Sequence, residues 1–107
     1  LSSINPYNVR RSSTGPIYGQ WQYKINSRPF NNIGSAIIWG NNSTSSGNNQ
    51  SLIDLSLISE LQNVTSSDTI VFRLVNWGAT ASGGTWYLND PNASTGADFS
   101  INAQLFA

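Results

Sequence analysis

Asp54, Glu60, Asp68, Asp90 and Asp98 are the only side chains in this chain suited to acid or base work near neutral pH. Glycoside hydrolysis needs two carboxyl groups flanking one bond. Glu60 falls in an expected helical turn and Asp68 opens an expected strand, so the spacing pairs no two of them. Histidine, cysteine and methionine are absent. Serine–histidine couples and cysteine nucleophiles go with them, as do the usual ligands of zinc, copper and haem. Oxygen ligands remain: Asp90 with Asn89 and Asn92, or Asp98, leaves room for a structural calcium ion. The reading is of a protein that is not an enzyme, with no catalytic residue, no metal ligand and no cofactor assigned.

Recognition chemistry is better supplied. The chain carries four tryptophans and four tyrosines, flat rings on which the C–H faces of a pyranose stack. Residues 69–90, TIVFRLVNWGATASGGTWYLND, gather Arg73, Trp77, Trp86 and Tyr87. Alternation puts Trp77 on the face of Arg73, opposite Phe72 and Leu74, and puts Tyr87 opposite Trp86 and Leu88. If Phe72 and Leu74 pack on Trp86 and Leu88, then Arg73, Trp77 and Tyr87 share the second face. A guanidinium between two aromatics there suits polyol or anionic-sugar recognition. The competing expectation is that Arg73 pairs with a carboxylate across the sheet. Arg10 joins the candidates, because Arg11 follows Tyr7 and Val9 on the other face; a solvated surface arginine is its alternative. Trp21, Tyr23 and Trp86 share strand faces with aliphatic residues and read as core.

Short strands must position these groups. Residues 5–11 alternate Tyr7 and Val9 against Asn8 and Arg10, and residues 20–26 set Trp21, Tyr23 and Ile25 against Gln22 and Lys24. The Gly-Pro of residues 12–18 marks a turn between them. A second turn at residues 26–29 leads into a short hairpin partner over 30–33, followed by a β-leaning run at 35–39. Residues 40–50, GNNSTSSGNNQ, read as a polar low-complexity loop. A strand over 51–55 and a helical turn over 58–63 come next. Residues 69–77 are apolar on both faces and read as a central strand. Residues 78–84 form a loop, 85–89 a returning strand, and 98–105 a closing strand with Phe99, Ile101, Ala103 and Leu105 inward. The expected fold is all-β: one antiparallel, jelly-roll-like β-sandwich spanning residues 1–107, with about seven or eight short strands and one helical turn.

Composition narrows the partners. Charged residues are 9% of the chain, far below the about 25% usual in soluble domains, and they cancel to zero. No basic stripe offers itself to nucleic acid. No apolar run approaches the about 18 residues of a membrane helix, so no membrane insertion is expected. Five Asn-x-Ser/Thr sequons, at Asn41, Asn42, Asn49, Asn63 and Asn92, are unsurprising in so Asn- and Ser-rich a chain.

Two stretches carry a resemblance. Residues 7–25 (YNVRRSSTGPIYGQWQYKI) with 30–34 (FNNIG) form the first. Residues 52–55, 71–78 (VFRLVNWG) and 84–90 (GTWYLND) form the second. Together they resemble the β-sandwich domains appended to secreted bacterial proteins, similar to carbohydrate-binding modules and surface adhesion domains. In such domains the Arg-Ser strand usually follows an N-terminal half, whereas here it comes almost at once. A minimal sandwich, missing upstream strands, or a strand lent by a neighbouring chain would each account for this. The resemblance implies a secreted or cell-surface location and a polysaccharide or glycan partner. The alternative is a structural subunit of an extracellular filament or surface layer, self-assembling through sheet edges or strand exchange.

Overall fold

The computed structural model describes residues 1–41, 43–90 and 97–103. Its strands in chain order are β1 (Ser3–Ile4), β2 (Tyr7–Arg11), β3 (Tyr18–Ile25), β4 (Asn31–Asn32) and β5 (Ile37–Ile38). They continue as β6 (Asn48–Gln50), β7 (Ile53–Asp54), β8 (Ile70–Trp77), β9 (Trp86–Leu88) and β10 (Ile101–Asn102). All pairings among the described residues are antiparallel. The fold is an all-β sandwich.

One layer is built on β1 and β2, successive segments interrupted at Asn5 and Pro6; proline has no N–H to give a ladder. β7 and β10 flank β1, while β6 and β9 flank β2. The other layer is built on β3, with β8 along one side and β4 then β5 along the other. The chain crosses between layers four times, from β2 to β3, β5 to β6, β7 to β8 and β8 to β9. These crossings interleave the two layers along the chain.

Alternation explains the core. Tyr7, Val9 and Arg11 of β2 turn inward, as do Trp21, Tyr23 and Ile25 of β3. Trp21 donates its indole N–H to the Tyr7 hydroxyl at 2.9 Å, joining the layers. Phe99 stacks on Trp21 with ring centroids 5.4 Å apart. Trp39, just past β5, packs against Trp86 of β9, centroids 5.2 Å apart. Trp21 and Tyr23 are core as expected, and Trp86 packs against the same cluster half-buried. Arg11 is buried without a carboxylate: its Nε donates to the Gly40 carbonyl, and its Nη1 to those of Ser12 and Gly15. A buried cation is tolerable when carbonyl dipoles satisfy its donors.

Several expectations need correction. β8 is not central: it pairs with β3 alone among the described residues. Its two-sided apolarity has another cause. Phe72 and Leu74 pack on the core, while Val75 and Trp77 are exposed on the far face. Within the polar loop of residues 40–50, Asn48–Gln50 is a strand on β2, because a backbone ladder does not require apolar side chains. The Asn8 amide bonding to Asn49 Oδ1 at 2.8 Å reinforces that pairing. The strand expected at 51–55 shrinks to Ile53–Asp54, and the helical turn is a 3-10 turn at Ser59–Leu61 that buries Leu61. Of the closing strand, Ile101–Asn102 pairs with β1; Phe99 and Ile101 pack inward, Ala103 is exposed, and Leu105 lies outside the described residues.

Candidate functional site

The outward face of the β3 layer carries the strongest candidate. Residues directly opposite in an antiparallel pair project to the same side. The β3–β8 register therefore lines up Tyr18 with Trp77, Gln22 with Arg73 and Lys24 with Val71, away from the core. The shorter partners extend two of these rows, Ile38 lying opposite Tyr18 and Asn32 opposite Gln22. Gln20 belongs to this face too but is buried, donating to the Ile33 and Gly34 carbonyls. It thereby ties down the connection from β4 to β5.

One end of the face is aromatic. Tyr18 and Trp77 stack with centroids 5.7 Å apart and planes 26° from parallel. They remain 37% and 43% exposed, and Ile38 beside them is 70% exposed. Gly78 follows at φ +86°, and a Cβ there would come within 2.9 Å of the Tyr18 ring. Glycine thus serves both the left-handed turn and the seating of Tyr18.

The middle of the face is polar and pre-ordered. Arg73 Nε donates to Gln22 Oε1 at 2.6 Å, and Gln22 Nε2 donates to Asn32 Oδ1 at 2.7 Å. The guanidinium carbon sits 3.6 Å from the centroid of Phe30, a cation–π seat. Lys24 Nζ approaches the same ring at 5.3 Å. Among the described residues no carboxylate pairs with Arg73, which disposes of the cross-sheet ion pair expected for it. Arg73 and Trp77 lie four positions apart along the strand, a span of about 13 Å.

The four candidate residues do not meet on one face. Arg73 and Trp77 share the outer face of the β3 layer, as alternation predicts. Tyr87 does not join them. β9 pairs with β2 rather than with β8, so Tyr87 lies opposite Arg10 on the other layer. Trp86 packs on the core from there and Phe72 and Leu74 from the opposite sheet, whereas Leu88, expected among them, is 40% exposed. The face expected to be shared is thus divided between the two outsides of the sandwich. Arg10 spends its Nε on the Ser43 carbonyl at 3.1 Å. Tyr18, Gln22, Phe30, Asn32 and Ile38 escaped sequence reasoning. Gln22 was legible on a wet strand face, whereas Tyr18 reads as the end of a turn until β3 is seen to begin there.

The carboxylates are dispersed. Glu60 accepts from Tyr23 Oη and pairs with Arg28 at 3.2 Å. Asp68 accepts from the Thr65 backbone N–H and the Asn26 amide, which hold its carboxyl below the ordinary value. Asp54 is lowered by Ser56 in the same way. Asn89, named above for calcium, is buried and donates to Asn8 Oδ1 and the Ser45 carbonyl; Asn92 lies outside the described residues. No group of three carboxylates gathers among the described residues.

Comparison with protein-family models, curated proteins and solved structures finds no significant match.

Proposed function

We propose that this domain is a non-catalytic carbohydrate-binding or adhesion module, of the kind carried by secreted or surface bacterial proteins. Its glycan lies along the outer face of the β3 layer. One observation carries the reading: the exposed Tyr18–Trp77 stack stands on the same rigid strand pair as the Arg73–Gln22–Asn32 chain. Aromatic faces supply sugar stacking, and the fixed amides and guanidinium supply hydroxyl recognition. The span between them suits an oligosaccharide rather than a single ring. Because the face is already ordered by its own hydrogen bonds, little side-chain freedom is lost on binding.

Affinity electrophoresis against a polysaccharide panel tests this directly. Retention of the wild-type chain on at least one neutral or anionic polysaccharide is expected, with loss in Trp77→Ala and retention in Tyr87→Ala. Failure to bind any member of the panel would overturn the reading. The assembly alternative draws its support from a different feature, the edge of β8 that has no strand partner among the described residues.

A further inference from the structure

Among the described residues nothing guards the outer edge of β8, which is eight residues long. Its hydrogen-bond phase is fixed where Asn26 N–H donates to the Thr69 carbonyl at 2.8 Å, opposite the end of β3. Odd-numbered residues of β8 therefore bond toward β3. The N–H and C=O groups of Ile70, Phe72, Leu74 and Asn76 point the other way, and none has a backbone partner among the described residues. Sheet edges are usually blunted by proline, charge, bulges or a covering loop. Ile70–Trp77 contains no proline and no glycine, and its register with β3 runs without interruption. Its single charge, Arg73, is turned back over Phe30. Val75 and Trp77 extend the edge with exposed apolar surface.

We propose that β8 pairs antiparallel with β8 of a second copy of this chain, about a twofold axis through Leu74. Two features select that occupant. The formal charge of the chain is zero, so two copies meet without net repulsion. The strand is also self-complementary in one register. Only even-numbered residues have free edge groups, so they must face one another. An axis through Arg73 would set two guanidinium groups directly opposite, which is unfavourable. Moving the axis to Leu74 sets Arg73 opposite Val75 of the second copy and Trp77 opposite its Val71, so that exposed apolar side chains of the two copies lie side by side. The result is one continuous sheet. Its twofold axis is perpendicular to the sheet, so both Tyr18–Trp77 stacks look out from the same side.

Sedimentation equilibrium across a concentration series tests the pairing, with circular dichroism confirming that each variant is folded. The wild-type chain is expected to form a concentration-dependent dimer. Val75→Lys sets an ammonium opposite Arg73 of the second copy, twice by symmetry, and is expected to weaken the dimer about tenfold or more. Val75→Glu places a carboxylate at the same point and is expected to tighten it. A wild-type chain that stays monomeric overturns the proposal, as does a dimer indifferent to both charges. Open-ended assembly overturns it too, since an isologous pair closes on itself. The readout involves no glycan, so its failure is separate from failure of the glycan reading.

Discussion

The indole N–H of Trp39 donates to Oδ1 of Asn76 at 2.8 Å, joining the end of β5 to β8 inside the sandwich. Asn76 is the neighbour of Trp77, so this core bond fixes the strand end that carries the exposed aromatic stack. Gly19 makes room for it, since a Cβ there would collide with the Trp39 ring. An exposed aromatic pair outside is held in place by a polar bond within.

Trp39→Phe should destabilise the fold by about 2–4 kcal/mol, through lost volume and an Asn76 oxygen left without its donor. Trp86→Phe should cost less, because Trp86 Nε1 is buried with no acceptor among the described residues. Urea unfolding of the two variants checks the order. Equal losses would mean that the Trp39 bond contributes nothing.

On the outer face, Tyr18→Ala and Trp77→Ala should each weaken polysaccharide retention about tenfold, the value of about 1.4 kcal/mol of stacking. Arg73→Lys should weaken it as well, since an ammonium cannot reproduce the fork held between Gln22 and Phe30. Affinity electrophoresis measures all three, and a thermal melt separates lost binding from lost folding.

Arg11→Lys should lower stability by about 1–3 kcal/mol despite keeping the charge. One ammonium cannot span the carbonyls of Gly40, Ser12 and Gly15 that the guanidinium reaches. Urea unfolding would show it as a lower midpoint with an unchanged slope.

Stability should fall at both ends of the pH range. Burial first, then the hydrogen bond and charge of Glu60, push Tyr23 up to about 12 from 10.0. The folded state thus holds a proton that the unfolded chain releases. That contribution is complete below pH 10 and is lost as pH rises toward about 12. Tyr7 is also raised, by burial, so Tyr23→Phe should reduce the alkaline loss without abolishing it. Asp68 and Asp54 are lowered instead, and their contribution is present above their ordinary 3.8 and lost as pH falls through the folded values. Melting temperature against pH, for wild type and Tyr23→Phe, reads both limbs.

Much of this was legible along the chain. Period-two alternation marked Trp21, Tyr23 and Ile25 as core, separated Arg10 from Arg11, and put Arg73 and Trp77 on one face, because side-chain direction along a strand is local geometry. The all-β class followed from short alternating runs between turn residues. Which strands pair is not local. Nothing in residues 69–90 tells β8 to take β3 and β9 to take β2, and that choice sends Tyr87 to the far side of the sandwich. The same choice leaves β8 at an edge although its composition suits a sheet centre, and it brings Tyr18, Gln22, Phe30 and Asn32 beside Arg73 and Trp77. The sequence by itself determined the face of each side chain. Only the tertiary structure decided which faces meet, because cross-strand register is settled by how the two layers close over one core.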